Sequence, residues 1–238
     1  MRIALIGYGK MGKAIEEVAL QRGHEIVIKI DQPNLDEFTK ENLKKADVAI
    51  EFTSPHTAYE NVKNCIEFDV PVICGSTGWT DRLEEMRTIC AQKNGSFIYS
   101  SNYSVGVNIF FEVNKKLAAL MAPLNQYEVI IEETHHTQKK DAPSGTAITL
   151  AEQILEKIER KKQWVNELSD NPGDLEIISQ RVDPAPGTHS IKYSSVIDEI
   201  EIVHTAHSRQ GFATGAVLAA EFIVNKKGFF TMKEVLNL

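Results

Sequence analysis

The sequence predicts an α/β fold built on a doubly wound parallel sheet, and three observations carry that expectation. Short runs of branched apolar residues, at 3–6, 25–30, 46–52 and 70–74, alternate with stretches whose apolar residues recur at helical spacing. A glycine motif, Gly7-Tyr8-Gly9-Lys10-Met11-Gly12, stands where the first strand meets the first helix. The 238 residues, 42% hydrophobic and 25% charged, have the proportions of an ordinary globular protein and leave room for one large domain or two small ones.

Residues 3–6 form a continuous apolar run, as a strand buried on both faces of a sheet requires. After the glycines, Ala14, Ile15, Val18 and Ala19 share one helical face until Gly23 ends the helix. Residues 25–30 make the second strand, which terminates at Asp31. In this Rossmann-type arrangement the glycines let the backbone turn tightly and approach a pyrophosphate, held by free amides and the helix dipole. Asp31 would accept hydrogen bonds from a ribose diol. Its carboxylate repels a 2′-phosphate and Gln32 supplies no compensating charge, so NADH is expected over NADPH, although Lys10 could attract a phosphate. Glycines that serve packing alone are the plainer alternative.

A strand at 46–52, a helix at 57–68 and a strand at 70–74 continue the alternation. Polar loops follow the strands: Phe52-Thr53-Ser54-Pro55, Gly75-Ser76-Thr77-Gly78 and Ser100-Ser101-Asn102-Tyr103. Ligands of open α/β sheets bind beyond the carboxyl ends of the strands, so these loops are expected to line the nicotinamide half, though such residues also make ordinary turns.

A net charge of −7, from 33 acidic and 26 basic residues, argues against a nucleic-acid surface. Three cysteines, Cys65, Cys74 and Cys90, form no CxxC pair and read as small buried residues in a reducing compartment. No apolar run approaches the roughly twenty residues of a membrane span, and the N-terminal run is too short for a signal peptide, so no membrane contact and a cytoplasmic location are expected.

Beyond these loops a helical pattern runs through Phe111, Leu117, Ala118 and Met121 and stops at Pro123. A strand at 127–134 then delivers His135 and His136. Ala147, Leu150, Ala151, Ile154, Leu155 and Ile158 form the stripe of another helix, which places Ser144-Gly145-Thr146 at its N-terminus. Free amides there favour a carboxylate or phosphate; capping by Ser144 or Thr146 accounts for the same residues. Just upstream, His135, His136, Lys139 and Lys140 gather four potential proton donors in an otherwise acidic chain. One histidine suits general acid catalysis, and a lysine suits orienting a carboxylate. Adjacent histidines on a strand face opposite ways and no carboxylate follows at a ligand spacing, so no metal site is expected. His204 and His207 read as a polar edge near a domain junction.

The run Glu132-Glu133-Thr134-His135-His136-Thr137-Gln138-Lys139-Lys140-Asp141-Ala142-Pro143-Ser144-Gly145-Thr146-Ala147 resembles the signature of the dihydrodipicolinate reductase family, and the likeness extends from the glycine loop to His204-Thr205-Ala206-His207-Ser208-Arg209. The resemblance implies an NADH- or NADPH-dependent oxidoreductase that makes tetrahydrodipicolinate from 4-hydroxy-tetrahydrodipicolinate on the diaminopimelate route to lysine. It implies His135 as proton donor, Lys139 as second catalytic residue, and His136, Gly145 and Thr146 as contacts to a small planar dicarboxylate. It also implies a discontinuous dinucleotide-binding domain at 1–106 and 208–238, enclosing a smaller α+β substrate-binding and oligomerisation domain at 107–207, in a homotetramer. The C-terminal return is compatible with an apolar helix around Val217-Leu218-Ala219-Ala220 and a capping box at Thr231-Met232-Lys233-Glu234. Two features depart from longer members: a glycine loop one residue shorter, with Lys10 where they carry arginine, and a short stretch at 190–202, which weakens the expectation of a tetramer. A dinucleotide-sensing regulator without turnover, or another two-domain NAD(P)-dependent dehydrogenase with a different substrate motif, are the competing readings.

Overall fold

The computed structural model describes all 238 residues, beginning with β1 (Arg2–Ile6), α1 (Lys10–Gln21), β2 (Glu25–Ile30), α2 (Lys40–Leu43), β3 (Val48–Glu51), α3 (Ala58–Glu67), β4 (Val72–Cys74), α4 (Leu83–Gln92) and β5 (Ser96–Tyr99). There follow α5 (Val105–Met121), β6 (Glu128–His135), α6 (Gly145–Leu155), β7 (Gln163–Val165), β8 (Asp174–Arg181), β9 (Thr188–Ser194) and β10 (Glu199–Thr205). The chain closes with α7 (Gln210–Ile223), β11 (Gly228–Phe230) and α8 (Met232–Leu236). It divides into two compact units, Met1–Val105 with Arg209–Leu238, and Gly106–Ser208.

In the first unit six parallel strands lie in the order β11-β5-β4-β3-β1-β2, the doubly wound sheet expected from the sequence. Side chains alternate across a strand, and β1 shows why its run is apolar throughout. Ala4 and Ile6 pack with Val62, Cys65 and Ile66 of α3 and Met86 of α4, while Ile3 and Leu5 pack with Ile15 and Val18 of α1 and Ala216, Val217 and Ala220 of α7. Gly215 lets α7 approach the 100–104 loop, since a Cβ there would overlap the carbonyl oxygen of Tyr103. Cys65, Cys74 and Cys90 are buried and free. Two strands are shorter than their apolar runs: the Ala46 amide closes the turn after α2 on the Leu43 carbonyl, and the Val70 amide bonds the Cys65 carbonyl after α3. The capping box at α8 forms, with Lys233 N–H donating to Thr231 Oγ1 at 3.2 Å and Thr231 N–H to Glu234 at 2.8 Å.

In the second unit a mixed sheet runs β10-β9-β6-β8-β7, with β9 antiparallel to β6 and β10, and β6, β8 and β7 parallel. Helices α5 and α6 supply Phe110, Ala118, Leu150, Ala151 and Ile154 to a core with Val129, Ile131, Leu175, Ile177, Ile191 and Tyr193. Buried Asn114 of α5 donates to the Leu150 carbonyl of α6 at 3.1 Å. Alternate residues of β6, Val129, Ile131, Glu133 and His135, are all buried. That row is apolar at its start and polar at its end, and the strand reaches one residue further than expected, to include His135. No helix of either unit is long and apolar enough to cross a membrane.

Candidate active site

In the first unit the glycine loop takes the form the motif requires. Gly7 has φ of +94°, and a Cβ there would overlap the Phe52 carbonyl oxygen. Gly9 caps α1 without a side-chain hydrogen bond, and nothing lies within 4 Å of the place a Cβ would take. The first turn of α1 therefore has no side-chain cap and the space beside Gly9 is open, a cradle that fits a pyrophosphate and that a larger residue would fill. Tyr8 N–H and Gln32 N–H hold the two oxygens of Asp31 at 3.3 and 2.8 Å, fixing the carboxylate at the end of β2. Lys10 is exposed and Met11 half-buried, and Gly12 is buried against the Gly7 backbone.

Further along the same strand ends, a Cβ on Gly75 would run into the Phe52 ring, and buried Ser76 accepts Thr53 N–H at 2.8 Å, tying two loops together. Thr77 and Ser101 are exposed. Ser100 Oγ donates to the Asn102 carbonyl at 2.7 Å. Tyr103 is 2% exposed, and its hydroxyl donates to the Cys74 carbonyl at 2.9 Å, so its side chain braces the loop from inside. Sequence reasoning missed Glu51, a fully buried carboxylate ending β3 that accepts from Cys74 Sγ at 2.9 Å and from Thr53 Oγ1. An acid inside an apolar strand was the available signal.

In the second unit the organising group is Glu133, whose side chain is wholly buried. Ser144 N–H donates to both carboxylate oxygens at 3.1 Å, Ser179 Oγ donates to Oε1 at 2.7 Å, and Arg181 donates to Oε1 at 3.3 Å. One carboxylate thereby joins the end of β6, the N-terminus of α6 and the end of β8. Burial opposes its charge, but the nearby His189 and the hydrogen bonds from Ser144 and Ser179 outweigh burial and hold the carboxyl well below the usual range. His135 Nδ1 and His189 Nε2 each stand 3.6 Å from Oε2, with the two rings 5.0 Å apart. Burial, then the neighbouring His189, push His135 down to about 4 against the pull of Glu133, so the imidazole is neutral near pH 7.

Glu133, His135 and His189 offer three ligand atoms within 4.8 Å of one another. The carboxylate precedes the histidines, and the second imidazole comes from β9, so spacing downstream of His135 showed neither. Arg181 and the Ser144 amide already compensate the carboxylate.

The loop between β6 and α6 is tied down at several points. Thr137 N–H donates to Asp183 at 3.2 Å, Arg181 donates to the Asp141 carbonyl at 2.5 Å, and Lys139 pairs with the Asp141 carboxylate at 2.8 Å. Lys140 is exposed, and His136 half-buried. Ser144 does cap α6, accepting Ala147 N–H at 3.2 Å, and Gly145 beside it still has nothing within 4 Å of a Cβ position. Capping and an approachable helix terminus thus coexist. Thr146 is half-buried in the first turn. His204 lies opposite His189 in the sheet with its ring 6.0 Å from Phe110, whereas His207 is exposed.

Comparison with known proteins adds to this geometry. The family model for the N-terminus of dihydrodipicolinate reductase matches residues 1–103, and that for its C-terminus matches residues 106–236. The chain belongs to the dihydrodipicolinate reductase family. It is 50% identical to the 4-hydroxy-tetrahydrodipicolinate reductase of Christiangramia forsetii, over 100% of this chain and 98% of that one. It is 34% identical to the enzyme of the same name from Thermosipho africanus, over 100% of this chain and 98% of that one. Among solved structures it resembles the dipicolinate-bound dihydrodipicolinate reductase of Paenisporosarcina sp. TG-14, with a TM-score of 0.78, 24% identity and 98% of each chain covered. A more distant likeness in fold is to GenD2 of gentamicin A biosynthesis in complex with NAD, with a TM-score of 0.59, 13% identity, and 94% of this chain and 85% of that one covered. As a member of this family the chain is an oxidoreductase, and its first unit is a nicotinamide-dinucleotide-binding domain of Rossmann type.

Proposed function

We propose that this chain reduces 4-hydroxy-tetrahydrodipicolinate to tetrahydrodipicolinate with loss of water, on the diaminopimelate route to lysine, using NADH in preference to NADPH. The relatives named for this reaction and the match of the family models to both parts of the chain support the reading. The observation that carries it is the shared carboxylate of the second unit. Glu133 holds the Ser144 amide and faces His135, which brings a proton-exchanging imidazole to the N-terminus of α6 where Gly145 is open.

When bound, the nicotinamide supplies the hydride. Gly7, Tyr8, Gly9, Lys10, Met11 and Gly12 cradle the pyrophosphate, Asp31 takes the ribose, and the loops of Gly75, Ser76 and Thr77 and of Ser100, Ser101 and Asn102, braced by Tyr103, line the remainder. Gly145 and Thr146 receive one substrate carboxylate at the α6 terminus, with His136 alongside, and Lys139 turns from Asp141 toward the incoming anion. A dicarboxylate brought beside His135 makes the imidazole more basic. Once the substrate ring has lost its hydroxyl as water to give the conjugated imine, hydride addition leaves negative charge on the ring, and the proton carried by His135 quenches it. The segments 1–106 with 208–238 serve the dinucleotide and 107–207 the substrate. A homotetrameric state, resting on the family resemblance, and the cytoplasmic location expected from the sequence complete the proposal.

The test couples this protein to dihydrodipicolinate synthase with pyruvate and aspartate semialdehyde, and follows NADH and NADPH absorbance separately. Substrate-dependent oxidation of both cofactors, faster with NADH at limiting concentration, is expected. No oxidation of either would overturn the reading and favour a dinucleotide sensor without turnover.

A further inference from the structure

The role just given to His135 leaves open how its two buried neighbours, Glu133 and His189, act on it; the imidazoles of His135 and His189 face the same oxygen of Glu133. Glu133 and His135 are two residues apart on β6 and therefore share a face. His189 is the cross-strand partner of Glu133 on β9. Oε2 of Glu133 is 3.6 Å from Nδ1 of His135 and 3.6 Å from Nε2 of His189. The Nδ1 of His135 is buried and has no hydrogen-bond partner. Its other nitrogen, Nε2, lies on the side of Gly187, where φ is +153° and a Cβ would come within 3.1 Å of it. The ring is thus polarised by its surroundings: Nδ1 looks inward at a carboxylate, and Nε2 looks toward a place kept clear of side chains.

His189 is anchored as well. Its Nε2 lies 3.1 Å from Ser144 Oγ, the hydroxyl that also caps α6. The groups whose charge acts on His135 come from each surrounding element: Glu133 on its own strand, His189 on β9, Arg181 on β8, and Lys139 in the following loop. Only Glu133 favours the protonated ring; the other three oppose it.

We infer that Glu133 and His189 are positioning residues for His135, acting as an opposed pair. Glu133 fixes the Nδ1 side of the ring and supports its protonated form, leaving Nε2 to exchange the proton with substrate. His189 shares the same carboxylate oxygen and, through Ser144, ties the proton affinity of His135 to the helix end that receives the substrate carboxylate. A carboxylate behind an imidazole stabilises the imidazolium without itself taking the proton. The second imidazole limits that stabilisation, so that the ring stays neutral until an anion arrives.

This inference rests on the assignment of His135 as proton donor, and the experiment separates the two. The titration of His135 is followed by NMR at its ring Cε1–H in the wild type, Glu133→Gln and His189→Asn, alongside the pH dependence of kcat and the dissociation constant for NADH. The pair predicts opposite movements: downward by about one pH unit in Glu133→Gln and upward by a similar amount in His189→Asn. Turnover of Glu133→Gln should fall roughly 10- to 100-fold, part of the ~10²–10⁴ that a positioned acid supplies, with NADH binding unchanged. A merely structural role would not move the two titrations in opposite directions. Titrations that stay put, or that move together, overturn the pair. Should Glu133→Gln not fold, His189→Asn alone decides, since an unmoved His135 titration there contradicts the inference. Wild-type turnover in His135→Gln would defeat the proton-donor assignment instead, while the titrations still judge the pair.

Discussion

The role proposed for His135 makes two demands that pull apart. The imidazole must sit deep enough in the end of the second unit to be oriented, and that depth pushes it down to about 4, where it holds no proton near neutral pH. A dianionic substrate resolves the conflict, because its charge does for the protonated ring what water does for an exposed histidine. Asp31 poses a similar question of shared duty. Its oxygens are partly engaged by the Tyr8 and Gln32 amides, so the carboxylate is a structural cap as well as the group proposed to meet a ribose. Replacing it with alanine would mix both losses, whereas Asp31→Asn keeps one acceptor oxygen for the amides and removes the charge that repels a 2′-phosphate. The expected outcome is a rise of about tenfold in kcat/KM for NADPH relative to NADH, about 1.4 kcal/mol, measured with each cofactor limiting. An unchanged ratio would remove Asp31 from cofactor selection.

At the scale of elements, legibility in the sequence followed locality. The strand, glycine loop and helix at 3–21 were readable because their signals are contiguous, as was the capping box at Thr231, where Glu234 lies three residues on. Strand ends were less readable: Ala46 and Val70 belong by composition to their strands, but backbone bonds closing helix ends claimed them. The motif from His135 to Thr146 marks a candidate site in the sequence, but the groups that organise it are not marked there. Glu133, Arg181 and His189 meet only through the register of β6 with β8 and β9, which no periodicity in the chain encodes. Tyr103 shows the converse. It stands in a polar loop and reads as an outward contact, but its ring is buried and its hydroxyl is spent on backbone carbonyls. The sequence shows Lys139 as a cation near the start of α6, but not its pairing with Asp141, two residues away.

For the whole molecule, the buried neutral imidazole has a thermodynamic consequence. His135 titrates near 4 in the folded chain against an ordinary 6.5, so between those values the unfolded state binds a proton that the folded state does not. Stability therefore falls as pH drops from about 6.5 to about 4, by about 3 kcal/mol in full. Glu133 acts in the opposite ionic sense and its contribution is lost only at lower pH, since its carboxyl is held well below the usual range. Thermal melts between pH 7.5 and 4.5 should show the wild-type Tm dropping more steeply than that of His135→Gln; parallel curves would contradict the burial of a neutral ring. The proposed reaction turns on what that ring does when substrate and cofactor are both present. The most direct measurement is kcat of His135→Gln in the synthase-coupled assay, with the dissociation constant for NADH taken on the same preparation. A loss of about 10²–10⁴ in kcat with NADH affinity unchanged is the predicted result. Turnover equal to wild type, or a fall matched by an equal loss of NADH binding, would contradict it.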